Sequence, residues 1–309
     1  MLMSFESESE WRTSGPMSVC PSILGAKLMM IDFTKMHGAG NDFVVIDAVR
    51  KAVSLSPEQI QTIANRHTGV GCDQVLVIEP PKRGDADFEY KIFNADGSSA
   101  GQCGNGARCV GRFIREQGLS PKQEIALEVG DCLRHLSLSQ HLDVKAELGA
   151  PVFDLAAVPF VTPDGNVASS TEHELKLGSV TLSAGILSMG NPHAVIVVDD
   201  CAATPVAKIG PMIQALDVFP DSVNVGFMEI KSRDAIALRV FERGTGETLA
   251  CGSGACAAVV HGIKLGLLSP EVTVDLPGGK LVVSWTGGKD AVWLSGPAET
   301  VFQGKVNLR

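Results

Sequence analysis

Apolar and polar positions alternate in short bursts along most of the chain, and the bursts predict strands. Apolar, largely β-branched runs occur at 43–46, 75–78, 180–182, 194–198, 235–241, 272–276 and 281–285, several bounded by Gly, Pro or Asp. Two segments break this rhythm. Behind Cys103, the residues Ala107, Val110, Gly111 and Ile114 recur at i, i+3, i+4 and i+7, which predicts a helix with one buried stripe, stopped by Gly118. Behind Cys251, residues 255–265 are apolar on nearly every side until Gly266, which predicts a helix buried all round. Strands outnumber helices, so the expected class is α+β rather than a doubly wound parallel sheet.

The two helices sit in matching surroundings. Residues 93–107 align without a gap on residues 241–255, at an offset of 148, and Phe, Cys, two Gly and Ala coincide. Gly40-Asn41 ahead of the run at 43–46 matches Gly190-Asn191 ahead of the run at 194–198, at an offset of 150. Gln74 entering one strand corresponds to Asn224 entering another at that same offset. Matches in one order at nearly one offset predict two homologous halves, each with strands enclosing a core helix and a cysteine at the helix's N-terminal mouth. The expected boundaries are a flexible extension over 1–29, an N-terminal half over 30–148 plus 297–309, and a C-terminal half over 149–296. The chain is expected to cross between halves near Gly149-Ala-Pro151.

Charge and cysteine usage narrow the function classes. With 26 Lys and Arg against 35 Asp and Glu, the net charge of -9 disfavours a nucleic-acid or anionic-membrane partner. No apolar run approaches the roughly 18 residues needed to span a bilayer. Eight cysteines in 309 residues, none in a Cys-x-x-Cys pair, are too sparse for a disulfide scaffold. The acidic, Ser/Glu-rich start lacks a basic signal region. A cytoplasmic, reducing location with free thiols follows as the expectation. Cys20, Cys72, Cys109, Cys132, Cys201 and Cys256 read as small buried hydrophobes.

Cys103 and Cys251 read differently, because each precedes a Gly-x-Gly turn into a helix. Gly104 and Gly106, like Gly252 and Gly254, let backbone N–H groups approach a ligand, and a helix N-terminus suits an anion such as a carboxylate. The same field is expected to lower each thiol from ~8.5 towards neutrality. Two such mouths face to face would take a proton from one side of a carbon and return one to the other, a stereoinversion α to a carboxylate with donors stabilising the developing charge. A phosphate loop is disfavoured by the missing Walker and Gly-x-Gly-x-x-Gly motifs. Zinc is disfavoured because Cys103/Cys109 and Cys251/Cys256 would lie on helices with poor convergence, so no metal is expected. His37 and His193 fit a structural or a site role equally.

At these residues the chain resembles the diaminopimelate epimerase family of cofactor-independent amino-acid racemases. The matching stretches are Met36–Phe43, Gly69–Gln74, Phe93–Gly97 with Cys103–Arg108, Met189–His193, Asn224–Phe227, Glu242–Glu247 and Ala250–Ala258, running in family order over some nine-tenths of the chain. The resemblance implies interconversion of LL- and meso-2,6-diaminoheptanedioate for lysine and peptidoglycan synthesis, without a cofactor, by a homodimeric enzyme. It implies two halves, each a curled mixed or antiparallel sheet round a central helix, with the site in the cleft between them. Carried over by position, Cys103 and Cys251 are the acid–base pair, and Gly104, Asn105, Gly252 and Ser253 hold the reacting carboxylate. Asn41, Gln74, Asn94, Asn191, Asn224, Glu242 and Arg243 hold the rest of the substrate, with His193 and Glu242 tuning the thiols. Arg243 suits a distal carboxylate and Glu242 an ammonium. Residues 1–29 have no family counterpart, and Val129 and Cys132 stand where the family shows Thr and Gly. The competing readings are a proline-type racemase or phenazine-type isomerase on the same scaffold, and a non-enzymatic thiol redox switch.

Overall fold

The structure is a computed structural model describing residues 29–101, 103–139, 143–162 and 171–308. Cys20 and the expected extension up to residue 28 lie outside the described residues; Met29 already belongs to a strand. The fold is α+β, strand-dominated as the alternation predicts.

The first half opens with β1 (Met29–Gly38) and β2 (Asn41–Asp47), an antiparallel hairpin turned by Ala39 and Gly40 at φ 52° and 85°. Positive φ at both central residues matches the twist of the flanking strands. Next comes α1 (Pro57–Ala64), which the strand-like rhythm does not reveal. Its signal is local: Ser56 and Gln59 form a reciprocal capping box and Pro57 occupies the first turn. There follow β3 (Gln74–Glu79), β4 (Phe88–Asn94), β5 (Ser99–Ala100) and α2 (Gly104–Glu116). The half continues with β6 (Glu124–Val129), β7 (Cys132–Leu138) and β8 (Val144–Glu147). Val129 and Cys132 are paired at the tip of the β6–β7 hairpin, where Gly130 supplies φ 57° and Cys132 is exposed.

The pattern then repeats through β9 (His173–Leu177), β10 (Val180–Ser188), β11 (Pro192–Val197) and α3 (Val206–Gln214). After it come β12 (Asn224–Ser232), β13 (Ala235–Glu242), β14 (Gly246–Thr248) and α4 (Gly252–Lys264). The repeat ends with β15 (Glu271–Leu276), β16 (Gly279–Ser284) and β17 (Trp293–Gly296), and β18 (Glu299–Leu308) returns to pair antiparallel with β1. The repetition extends to register. β2 runs parallel to β3 with Phe43 opposite Gln74, and β11 runs parallel to β12 with His193 opposite Asn224. Val75 faces Phe93 in the first half, as Val225 faces Phe241 in the second.

The strands form one continuous hydrogen-bonded sheet, which in each half wraps one central helix and carries a crossover helix on its other face. Ile60 and Ile63 of α1 pack with Val44, Val75 and Val77, and Val206 and Ile213 of α3 with Ile196, Val225 and Phe227. A single larger core joins the halves, for Cys109, Val110, Phe113 and Ile114 of α2 share it with Ala255–Val260 of α4. Enclosure explains why α2 is buried beyond its predicted stripe: Arg108, Cys109 and Phe113 are shut off as well.

The halves meet along β8 and β17, which pair antiparallel with Ala146 opposite Leu294. Those two residues are separated by the 148-residue offset of the cysteine turns, so the pseudo-two-fold axis passes between them. A second junction lies at the Ala39-Gly40 turn, which abuts the turn between β15 and β16. A Cβ on Gly278 would stand 2.1 Å from the Ala39 carbonyl oxygen and 3.0 Å from that of Leu249, two residues before Cys251. Both atoms are backbone and cannot swing aside. Gly278→Ala is therefore expected to cost about 1–3 kcal/mol of stability by overpacking, read as a lowered thermal midpoint. An unshifted midpoint would show that this junction yields freely.

Candidate active site

α2 and α4 point their N-termini at the seam. Gly104 and Gly252 open the two helices, and a Cβ on either would lie 3.0 or 2.9 Å from Cδ2 of the same leucine, Leu294. Only glycine lets both helix starts approach the axis so closely. Cys103 and Cys251 are the N-cap residues, in extended backbone at φ -145° and -116°. The turns touch across the seam, for the Asn105 amide donates to the Ala250 carbonyl at 3.4 Å and to Asn41 Oδ1 at 3.3 Å.

The two sulfurs sit in unlike surroundings. Cys103 Sγ accepts the Gly106 amide at 3.3 Å, the capping bond expected at a helix start, and lies 3.8 Å from Asn41 Oδ1. Cys251 lacks such a cap; its thiol donates to Glu242 Oε2 at 2.9 Å, and Ser253 Oγ stands 3.7 Å away. The expected lowering of both thiols is not what this arrangement produces. Burial pushes Cys103 up to about 11, outweighing the Gly106 amide. Burial and the adjacent Glu242 carboxylate hold Cys251 well above its ordinary range. A helix field of about half a charge does not offset the removal of a thiolate from water, so the fold raises both thiols.

The remaining expected residues form two similar polar rims. In the first half, Gln74 Nε2 donates to Asn94 Oδ1 at 2.9 Å, and Asn94 donates in turn to Ser98 Oγ at 3.0 Å. Gln74 Oε1 is buried without a partner among the described residues, an acceptor suited to an N–H donor. Asn41 is held from behind by Asp73 Oδ2 at 2.7 Å. Asp73 and Asp42 both pair with Arg66, and Asp42 also with Lys35, which drives the Asp42 carboxyl far below its ordinary range despite partial burial. Nothing in the sequence spacing singled out this ionic network, because its members come from β1, β2 and the loop before β3.

In the second half, Asn224 Nδ2 donates to the Pro192 carbonyl at 3.0 Å, and its Oδ1 accepts the Arg243 amide at 3.0 Å. Glu242 is fixed by the Thr248 hydroxyl at 2.5 Å. Arg243 is exposed and its guanidinium rests on the Asp221 carbonyl at 3.0 Å. Asn191 donates to Ser253 Oγ at 3.4 Å and meets His193 Nε2 at 2.9 Å. His193 is 1% exposed, and burial with the nearby Arg243 charge drives it down to about 3. It is therefore neutral, and its contact with Ser253 runs through Asn191. Among the described residues no group of three His, Cys, Asp or Glu side chains is placed to hold a metal ion, and no helix is long and apolar enough to cross a membrane.

Taken together, the cleft is a seam with two sets of helix-start amides, two thiols and a polar rim on either side. It fits a small molecule with a carboxylate at the centre and charged groups at its far end. The family profile described as diaminopimelate epimerase matches residues 33–153 and 185–301. Diaminopimelate epimerases of Alkalilimnicola ehrlichii and Teredinibacter turnerae are 51% and 50% identical over 282 and 280 residues, in both cases 91% of this chain and 100% of the relative. Among solved structures, a hydroxyproline epimerase from Agrobacterium vitis superposes with a TM-score of 0.66 at 16% identity, covering 90% of this chain and 93% of that one. A phenazine biosynthesis protein of the PhzF family from Bacillus anthracis gives 0.65 at 18% identity, covering 90% and 99%. At those identities the structural likeness concerns the fold.

Acid should weaken the folded state through His193. Between its ordinary value of 6.5 and about 3, the unfolded chain binds a proton there that the folded chain excludes, so stability is lost as pH falls through that window. His193→Gln is expected to flatten unfolding free energy against pH by up to about 1.4 kcal/mol per pH unit, measured by urea titration. His261, driven by burial to about 4, contributes a second such slope that the variant leaves in place. An unchanged slope would overturn the assignment.

Proposed function

This chain belongs to the diaminopimelate epimerase family, and from that premise we propose that Cys103 and Cys251 are the two acid–base groups of its reaction. The enzyme is an isomerase that converts LL-2,6-diaminoheptanedioate to the meso form in lysine biosynthesis. The observation that carries the site assignment is the meeting of two glycine-opened helix starts, each capped by a cysteine, on the single side chain of Leu294.

One sulfur, as thiolate, takes the proton from the α-carbon and becomes a thiol. The other, as thiol, delivers its proton to the opposite face and becomes a thiolate. Atoms and charge balance without a cofactor, and the reverse turnover restores the first state. Amides at Gly104, Asn105, Gly252 and Ser253 hold the reacting carboxylate and take up charge as the α-carbon becomes carbanion-like. The substrate ammonium next to Glu242 relieves the carboxylate that keeps Cys251 protonated, and the buried Gln74 oxygen offers a further acceptor to an ammonium. Arg243 leaves the Asp221 carbonyl to bind the distal carboxylate. Asn41, Asn94, Asn191 and Asn224 complete the rim, with His193 supporting Ser253.

The division into 30–148 with 297–309 and 149–296 is supported by the repeated register and by the return of β18 to β1. A homodimer is supported by the exposed Met30, Val301 and Phe302 on the paired β1 and β18 strands. A cytoplasmic location is consistent with the seven described cysteines being free. A proline-type substrate would leave Arg243 without a distal partner.

In deuterated water, without pyridoxal phosphate, LL-substrate is expected to give meso product carrying deuterium at the inverted carbon. Cys103→Ala and Cys251→Ala should each lower turnover by at least about 10²–10⁴-fold, and near-native turnover by either variant would sink the two-base assignment. Arg243→Met should lose about 10–100-fold in kcat/KM, the worth of a charge-assisted pair; unaltered kinetics would move Arg243 out of the site.

A further inference from the structure

Among the described residues Arg108 is the largest fully buried side chain, yet no carboxylate accompanies it. Its guanidinium donates to Asn105 Oδ1 at 2.8 Å and to the Gly104 carbonyl at 3.4 Å, and its Nε has no partner. Gly38 leaves room for it, for a Cβ there would come within 3.3 Å of the guanidinium. A cation taken out of water costs several kcal/mol unless an anion meets it. Side chains of a helix lean towards its N-terminus, so Arg108, one turn into α2, lies beneath the turn that carries Cys103. The ionisable groups around it are the thiols Cys103, Cys109 and Cys256.

The repeat shows how selective this placement is. The residue 148 positions beyond Arg108 is Cys256, buried and uncharged, while the residue 148 positions before Glu242 is the neutral Asn94. Duplicated frames thus carry opposite charges: a cation under the Cys103 turn and a carboxylate 2.9 Å from Cys251. Of the other groups facing Cys103, Glu242 opposes Arg108 and raises the thiol more than Arg108 lowers it, but Glu242 also bonds Cys251 directly. Tyr90 donates its hydroxyl to the Cys103 carbonyl at 3.4 Å and is held neutral by burial, Cys109 is buried as a thiol, and Glu242 acts from across the seam. Facing Cys251 are Glu242 and Ser253.

We propose that Arg108 is a positioning residue of the epimerisation, which fixes Asn105 across the seam and supplies a built-in countercharge that, together with Glu242 beside Cys251, makes Cys103 the more readily ionised member of the pair. The proposal rests on the epimerase reading and adds an order of ionisation to it. Asn105 is the coupling element, since Arg108 holds its oxygen while its amide nitrogen reaches Asn41 and the carbonyl of Ala250, next to Cys251.

The test alkylates the full-length chain with iodoacetamide across a pH series, without substrate, and reads the midpoint of modification at Cys103 and Cys251 by peptide mass spectrometry. Cys103 should titrate at the lower pH. Arg108→Met should move the Cys103 midpoint up by about one pH unit or more, leave Cys251 in place, and lower kcat with little change in KM. Arg108→Lys keeps the charge but not the planar fork, so it should restore the Cys103 midpoint while kcat recovers only in part. Should Arg108→Met fail to fold by circular dichroism, the native order of midpoints and the Lys variant still decide. Cys251 titrating first in the native chain, or a folded Met variant with an unmoved Cys103 midpoint, overturns the proposal. Absence of turnover by the native chain instead overturns the epimerase reading, which the alkylation order does not depend on.

Discussion

Two helices in this molecule end tip to tip. Each helix start carries backbone donors with no partner inside its own helix and about half a positive charge, and the seam brings two such ends onto Leu294. Like ends repel, and neither is bathed in bulk water, so the arrangement is uncomfortable until an anion lies between them. The rest of the architecture serves to hold that discomfort in place: two sheets curled round α2 and α4, the β8–β17 pairing, and glycine at both first helical positions. A carboxylate resolves it by accepting amides from both sides.

The sulfurs answer to the same geometry with a different sign. Enclosure that sharpens carboxylate recognition also strips water from Cys103 and Cys251, and desolvation wins over the helix field at both. Ionisation must then come from charges near each thiol, and these are unequal. Glu242 and Arg108 break a two-fold symmetry that the backbone repeats in register where β2 pairs β3 and β11 pairs β12, and again where β3 pairs β4 and β12 pairs β13. Duplication supplied the frame, and divergence at one buried and one half-buried position supplied a direction.

Much of this was legible in the chain. The spacing of Cys103 and Cys251, their Gly-x-Gly turns, and the stops at Gly118 and Gly266 reveal the two central helices, because chain reversal and close approach need residues that cannot be hidden. Helices α1 and α3 escaped notice, since each is short and buries only a few positions; in α1 the capping box at Ser56 was the readable sign, and α3 has no side-chain cap. The direction of the thiol shifts is not legible in the chain, because helix position can be seen in a sequence whereas depth of burial cannot. Arg108 lies outside the predicted apolar stripe: an arginine on a helix reads as solvent-facing until the sheet that covers it is in view.

The pairing of β1 with β18 joins opposite ends of the described chain. During synthesis the first hairpin leaves the ribosome long before its edge partner exists, so β1 spends most of translation as an open template for any passing strand. Closing that edge is a late, long-range event of the kind that slows folding. The inward Lys35, the outward Asp32 and the bulge between Lys35 and Met36 are features that keep such a waiting edge from joining the wrong neighbour.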